Sequence, residues 1–223
     1  IEFFKRYEFR GLLKGVAGQE KKEAKERDYK AIQTLQELRD FAGALKKAKA
    51  FSFDTETTSV DPMKAALVGM SFCWEPFTAY YLPVSSSAQQ GPGLLLAEVF
   101  EIMKPILENG EIAKYGQNIK YDEIVMARHG VRLLGVAFDT MIASYLIDPI
   151  KRNHNLDDIS LEYLNVQKIT TESLIGKGAK QITMDAVPLE QITAYACEDA
   201  DCVMRLMPIL KEKLGELGLA ELY

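Results

Sequence analysis

The segment Phe51-Ser52-Phe53-Asp54-Thr55-Glu56-Thr57 alternates apolar and polar side chains with a period of two. This pattern predicts a β-strand with its phenylalanines on one face and with Asp54 and Glu56 side by side on the other. Two carboxylates held that close repel each other unless a cation lies between them, and hard cations such as Mg²⁺ prefer carboxylate oxygens. A solvated strand end is the alternative for so short a motif. The segment therefore predicts a sheet protein with a candidate metal-binding pair.

Strand and helix patterns alternate along the rest of the chain. Strand patterns lie at residues 50–57, 66–74, 78–84, 112–116 and 136–138, and helical patterns at 31–48, 94–108, 119–129, 139–148, 155–164 and 188–214. The stretch 165–187 is expected to be rich in loops. The first three strands are joined by short turns, so they should run antiparallel. Together these patterns predict an α/β fold with a mixed five-stranded sheet, its three antiparallel strands first, flanked by helices.

The first 28 residues differ in character from the rest of the chain. Residues 1–14 show the apolar spacing of a short amphipathic helix, and residues 15–28 are polar, with alternating Lys and Glu. The chain also begins with isoleucine. We therefore expect residues 1–28 to be an N-terminal helix and linker, the tail of a preceding region, and residues 29–223 to be the functional domain.

Charge and cysteine content restrict the class of function. Residues 51–223 contain 14 Lys and Arg against 24 Asp and Glu. Such an acidic body argues against broad binding of duplex nucleic acid, but it leaves room for a small site where metal ions supply the positive charge. Three cysteines and two histidines, with no paired-cysteine spacing, argue against a structural zinc site. No apolar run approaches the length of a membrane helix.

Three further acids lie where helices begin or pack in the predicted fold. Asp122 lies in the first turn of a predicted helix, where it could simply complement the helix dipole. Tyr195 and Asp199 are four residues apart and share one face of the last helix, where an aromatic residue and a solvated acid are the ordinary alternative. Asp139 precedes a helix and is best explained as its N-cap.

In order along the chain, these motifs resemble the signature of the DEDD 3′→5′ exonucleases, in the subgroup that carries a tyrosine. The chain resembles the proofreading domains of bacterial DNA polymerase I (family A) over residues 30–223. The matching segments are Phe53-Asp54-Thr55-Glu56-Thr57, Gly116-Gln117-Asn118-Ile119-Lys120-Tyr121-Asp122, Phe138-Asp139-Thr140-Met141, Ile175-Gly176-Lys177-Gly178 and Tyr195 to Asp201.

The resemblance implies a ribonuclease H-like fold and hydrolysis of phosphodiesters with two divalent metal ions roughly 4 Å apart. The ions would be Mg²⁺ or Mn²⁺, with Zn²⁺ as an alternative at one site. Asp54 would bridge both ions, Glu56 and Asp199 would complete the first site, and Asp122 would hold the second. Tyr195 would orient the attacking water. These five residues are the expected catalytic set, and the four acids are the expected metal ligands.

The resemblance also implies a site for the 3′ end of single-stranded or frayed DNA. The expected substrate-binding residues are Thr57, Val60, Gln117, Asn118 and Tyr121, with Val60 as the wedge between the last two bases. Nucleoside monophosphates would be released. A polymerase domain would follow in the parent chain, and the protein would act as a monomer in the bacterial cytoplasm.

Two positions depart from the family pattern, and two other functions remain open. Thr171 stands where well-known members carry phenylalanine, and Asn153 stands where arginine is common. These changes are expected to weaken substrate binding without removing a metal ligand. One alternative is an RNA 3′-end exonuclease of the ribonuclease D type, and the other is a catalytically silent structural domain of a polymerase.

Overall fold

The computed structural model describes residues 26–86 and 93–223. The strands are β1 Asp28–Ala31, β2 Ala50–Thr57, β3 Leu67–Glu75, β4 Thr78–Ser85, β5 Leu94–Leu95, β6 Ala113–Gly116 and β7 Val136–Asp139. The helices are α1 Leu35–Leu45, α2 Leu96–Leu107, α3 Ile119–Arg128, α4 Thr140–Ile147, α5 Leu156–Leu164, α6 Thr171–Ile175 and α7 Leu189–Glu216. The helix expected at residues 1–14 lies outside the described residues. Within these ranges, no helix has the length and apolar character needed to span a bilayer.

The sheet has the order β1-β4-β3-β2-β6-β7, and β5 pairs with β4. The antiparallel run β2-β3-β4 and the parallel pairs β2-β6 and β6-β7 confirm the predicted mixed sheet. The predicted number of five strands is wrong, because the described residues form seven. The two additional strands, β1 and β5, are only four and two residues long, too short for a period-two pattern to be recognised in the sequence.

Helix α1 begins at Leu35, four residues later than predicted, because a capping box fixes its start. The Thr34 side chain accepts a hydrogen bond from the Glu37 backbone N–H at 3.2 Å, and the Glu37 carboxylate accepts one from the Thr34 N–H at 2.9 Å. These bonds satisfy two donors that the first helical turn otherwise leaves unpaired. The residues just before it are therefore free to form β1. The stretch 165–187, expected to be loop-rich, contains α6 and two 3₁₀ turns.

Strand β2 separates two layers of the core. Phe51 and Phe53 are fully buried together with α1 and α2, as their alternation predicts. On the opposite face, the Ser52 hydroxyl donates a hydrogen bond to the Ala200 carbonyl of α7 at 2.7 Å. Helix α7 packs across β1, β2, β3 and β4 on this face. The polar face of β2 therefore faces α7. This arrangement brings the acids of the strand close to those of the helix.

Asp201 of α7 ties the helix to the far edge of the sheet. Its fully buried carboxylate accepts hydrogen bonds from the Phe77 backbone N–H at 2.6 Å, from the Tyr29 hydroxyl at 3.0 Å and from the Arg205 guanidinium at 3.1 Å. These donors come from the β3–β4 turn, from β1 and from α7 itself. A buried carboxylate that is paired in this way is a structural group.

Candidate active site

Asp54 and Glu56 of β2 meet Asp199 of α7 between the sheet and the helix. One carboxylate oxygen from each of the three lies within 4.8 Å of the other two. Glu56 and Asp199 are buried, and Asp54 is half-buried. The structure therefore brings together three of the four acids expected to bind metal.

Asp122 approaches the same strand but belongs to a separate contact. It is 1% exposed, and its Oδ1 accepts hydrogen bonds from the Thr55 hydroxyl at 2.6 Å and from the Thr55 N–H at 3.0 Å. Asp122 is not one of the three carboxylates that lie within 4.8 Å of one another. Its charge still acts on Asp54.

Burial and mutual repulsion disfavour the charged forms of these acids. Burial, followed by the charge of Asp122, raises the pKa of Asp54 well above its usual range, and burial with the charge of Asp199 does the same to the pKa of Glu56. Burial raises the pKa of Asp122 to about 7, although bonds from Thr55 oppose the change. It raises the pKa of Asp199 to about 6, although Lys168 opposes it. A site of this kind is stabilised by added positive charge.

The donor set fits a hard divalent cation. All three grouped side chains offer carboxylate oxygens, the ligands preferred by Mg²⁺ and Mn²⁺. Among the described residues, Glu56 Oε1 is buried without a hydrogen-bond partner. A buried carboxylate oxygen left unpaired is costly, and a metal ion would satisfy it.

These raised pKa values predict that the stability of the metal-free protein falls as the pH rises. Because the pKa values of Asp122 and Asp199 are raised above those of the unfolded chain, the folded state binds protons more tightly between about pH 4 and pH 7. Their contribution is present at low pH and is lost as the pH rises through about 6 to 7. In EDTA, urea unfolding should therefore give a free energy of unfolding on the order of 2 kcal/mol lower at pH 8 than at pH 5. Saturating Mn²⁺ should remove the loss, whereas a gain in stability from pH 5 to pH 8 in EDTA would contradict this account.

Tyr195 lies one turn before Asp199 on α7, and its hydroxyl is held in place. It shares a 2.8 Å hydrogen bond with the Thr171 hydroxyl at the start of α6. Burial and the charge of Asp199 raise the pKa of Tyr195, so the side chain stays a neutral phenol. Thr171, one of the two departures from the family pattern, is therefore the residue that fixes the tyrosine hydroxyl.

Thr57 and Tyr121 meet where β2 ends. Their hydroxyls are 2.6 Å apart, and the Tyr121 hydroxyl also donates to the Ser59 carbonyl. Val60 follows in the same loop and is 96% exposed. The structure thus brings three of the five expected substrate-binding residues to the end of the strand that carries Asp54.

Gln117 and Asn118 lie at the turn between β6 and α3, and protein groups engage both side chains. The Gln117 amide donates to the His154 carbonyl at 2.8 Å and accepts from the Thr140 hydroxyl at 2.5 Å. The Asn118 side chain accepts from Lys120. One amide N–H and one lone pair of the Gln117 side chain are left over for a ligand. Asp139 caps α4 at the Met141 and Ile142 N–H groups, so it has the structural role expected from its position.

One charged residue at the site has no counterpart in the sequence motifs. The Lys168 side chain is 1% exposed, and its ammonium forms an ion pair with Asp199. Its Nζ also lies 5.4 Å from the centroid of the Tyr195 ring. Lys168 stands in a short polar run in the expected loop region, which carried no signal of burial.

A family model described as a 3′-5′ exonuclease matches residues 29–215. The chain belongs to this 3′-5′ exonuclease family. DNA polymerase I of Pseudomonas aeruginosa is 42% identical over 173 residues, which cover 76% of this chain and 19% of that protein. The chain spans about a fifth of the length of the curated relatives that it matches most strongly. The resemblance inferred from the motifs is confirmed.

Solved structures of nucleases share the fold of this exonuclease domain. Escherichia coli RNase D, described as an exoribonuclease involved in structured RNA processing, superposes with a TM-score of 0.63 at 18% identity, over 86% of this chain and 46% of that one. Brucella melitensis NrnC with bound Mg²⁺ gives a TM-score of 0.61 at 20% identity, over 87% of this chain and 84% of that one. At such identities the likeness shows the fold, and the predicted ribonuclease H-like architecture is confirmed.

Proposed function

We propose that residues 29–223 form a 3′→5′ exonuclease domain that hydrolyses phosphodiesters at the end of single-stranded or frayed DNA. The observation that carries the proposal is the meeting of Asp54, Glu56 and Asp199 within 4.8 Å, where three carboxylates outnumber the one ammonium of Lys168. Carboxylates arranged in this way serve metal-assisted phosphodiester hydrolysis. The kinship with DNA polymerase I supports DNA as the substrate and proofreading as the role.

The acids would hold two divalent ions, Mg²⁺ or Mn²⁺, with Zn²⁺ as an alternative at one position. Asp54, Glu56 and Asp199 would bind the first, and Asp54 together with Asp122 the second. Bound there, the ions would supply the positive charge that activates a water near neutral pH and stabilises the leaving 3′-oxygen. The three grouped carboxylates fix the position of that charge, because they lie on the rigid frame of β2 and α7.

Tyr195 would orient the attacking water with its neutral hydroxyl. Thr171 limits where that hydroxyl points, since the two oxygens are 2.8 Å apart. Proton transfer from the tyrosine is disfavoured at neutral pH because its pKa is raised. Its role is therefore to hold a hydrogen bond rather than to act as a base.

Replacing Thr171 with valine should lower kcat by roughly three- to tenfold with little change in KM, the expected effect of losing one hydrogen bond of about 0.5–1.5 kcal/mol. Steady-state kinetics on a labelled oligonucleotide would measure it. Thr193→Val on α7 is the matched control, because the buried Thr193 hydroxyl has no hydrogen-bond partner among the described residues. In a Tyr195→Phe background, Thr171→Val should have no further effect. Additive effects would show that Thr171 acts independently of the tyrosine.

The end of β2 would receive the terminal nucleotide. Thr57 and Tyr121 present hydroxyls there, and Val60 projects into solvent beside them. Backbone and side-chain groups of Asn118 and Gln117 lie at the neighbouring turn. Because the body of the protein is acidic, only a short single-stranded end would enter the site.

The domain would act within a longer bacterial polymerase, in the cytoplasm. Its relatives are DNA polymerase I proteins of which it matches about a fifth. A polymerase domain following the exonuclease would deliver mispaired 3′ ends, and residues 1–28 would belong to the region that precedes it.

The function is tested with a 5′-labelled single-stranded DNA oligonucleotide in the presence of Mg²⁺ or Mn²⁺. A ladder of 3′-shortened products that disappears with EDTA and in Asp199→Asn supports the proposal. Absence of a ladder with either metal would contradict an active enzyme and favour the silent structural domain. Equal or faster shortening of an RNA oligonucleotide of the same sequence would favour the ribonuclease D-type function.

A further inference from the structure

Lys168 is a buried cation in contact with the proposed metal site. Its side chain is 1% exposed, its ammonium is paired with Asp199, and its Nζ lies 3.4 Å from Asp157 Oδ1. Asp157 at the start of α5 is 45% exposed, so it provides a second, more open carboxylate beside the first. The ammonium therefore lies between a carboxylate of the site and one at the surface.

Backbone contacts hold the segment that carries Lys168 against α7. The Ile169 N–H donates to Glu198 Oε2 at 2.6 Å, and Arg27 donates to the other oxygen of the same carboxylate at 2.5 Å. Glu198 directly precedes Asp199 on α7, so the same helix holds the lysine's backbone and accepts its charge. The ammonium is thus directed at Asp199 by the fold.

In the metal-free protein, the ion pair between Lys168 and Asp199 supplies positive charge that a metal ion would otherwise provide. One ammonium faces the three carboxylates of Asp54, Glu56 and Asp199, which leaves an excess of two negative charges when all are ionised. A divalent cation would balance that excess, but it would also repel the ammonium and require oxygens of Asp199. Lys168 and a metal ion therefore compete for the same carboxylate.

We propose that Lys168 is a positioning residue that holds Asp199 in the metal-free domain and gives it up when the ion binds, moving to Asp157. This inference rests on the metal site proposed above. It makes the lysine an internal counter-ion that keeps the acids together before metal arrives, at the cost of weaker metal affinity.

Mn²⁺ binding to the 223-residue chain, measured by electron paramagnetic resonance of the free ion, tests the inference. Lys168→Met should lower the Kd for Mn²⁺ by roughly tenfold, because it removes one charge-assisted competitor. In EDTA the same variant should melt at a lower temperature than the wild type, and Mn²⁺ should raise its melting temperature more. Lys168→Arg keeps the charge and should retain a Kd within about threefold of the wild type.

Lys151 provides a matched control for the methionine substitution. Its side chain is also largely buried, at 7% exposed, pairs with Glu162 at 2.7 Å and lies over the Tyr163 ring at 5.4 Å, but its partners are not acids of the site. Lys151→Met should lose stability without changing the Kd for Mn²⁺. An unchanged or raised Kd in Lys168→Met would overturn the inference.

Lysine modification of the wild type gives an answer even if Lys168→Met does not fold. Acetylation by an amine-selective reagent, measured by peptide mass spectrometry, should increase several-fold at Lys168 on adding Mn²⁺ and stay constant at Lys151. No increase at Lys168 in protein that binds Mn²⁺ would overturn the inference alone. A wild type that binds no Mn²⁺ would overturn the proposed metal site together with it.

Discussion

Asp54→Asn is expected to lower exonuclease kcat by roughly 10³-fold or more while making the metal-free protein more stable. Asp54 is the acid proposed to hold both ions, and metal-assisted stabilisation of the transition state is worth several kcal/mol. The same carboxylate is repelled by Asp122 and Glu56, and burial disfavours its charge. A neutral amide of the same shape should raise the free energy of unfolding in EDTA by about 1–2 kcal/mol at pH 8.

Two measurements on the same preparation check this prediction: oligonucleotide hydrolysis with Mg²⁺ and urea unfolding in EDTA. Asp40→Asn is the control, since it makes the same chemical change at an exposed position on α1. If Asp54→Asn keeps an activity within tenfold of the wild type, Asp54 does not take part in catalysis. A less stable Asp54→Asn protein in EDTA would show that repulsion does not govern the site.

Asp201→Ala should destabilise the fold by about 3–5 kcal/mol, the usual cost of removing one partner from a buried ion pair. The substitution leaves Arg205, the Tyr29 hydroxyl and the Phe77 N–H without their shared acceptor. Activity per folded molecule should stay near that of the wild type, because this carboxylate lies at the far edge of the sheet. Asp199 and Asp201 are only two residues apart on α7, yet substitution of the first should abolish activity, whereas substitution of the second should mainly lower stability.

Chemical denaturation, with activity normalised to the folded fraction, would measure the effect of Asp201→Ala. Arg205→Ala is the companion variant: it leaves the carboxylate with two donors and should cost less than the loss of the acid itself. If Asp201→Ala lowers the free energy of unfolding by less than about 1 kcal/mol, water replaces the missing acceptor and the prediction is wrong.

The alternation in β2 was enough to predict which face of the strand carries the acids. Phe51 and Phe53 are buried on one side, and Asp54 and Glu56 meet α7 on the other. The partner acid Asp199 is 143 residues from Glu56, and no local pattern indicates that the two touch. The proximity of the two acids was predicted only from the resemblance to a known family, in which the same motifs occur in the same order. The structure places the two carboxylates in one group.

Other features depend on contacts that a local pattern does not encode. Strand β1 pairs with β4 through its backbone, and its alternation extends over only four residues, too few to predict a strand from the sequence. The burial of Lys168 follows from the bond between Ile169 and Glu198, residues 29 positions apart. Thr171 was interpreted from the sequence only as a missing phenylalanine, whereas the structure shows its hydroxyl bonded to Tyr195.

Four consecutive residues of α7 contact three different parts of the molecule: the segment before α6, strand β2 and the β3–β4 turn. Glu198 accepts from Ile169, Asp199 meets the acids of β2, the Ala200 carbonyl accepts from Ser52, and Asp201 binds the β3–β4 turn. Three of these contacts are made by successive side chains, which point about 100° apart, or by a side chain two positions on, so they lie in different directions around the helix. The helix therefore cannot rotate or slide to adjust a single ligand. Inserting one residue before Glu198 would turn all four contacts out of register together, so this turn of α7 should tolerate a change of length even less than the loss of one side chain.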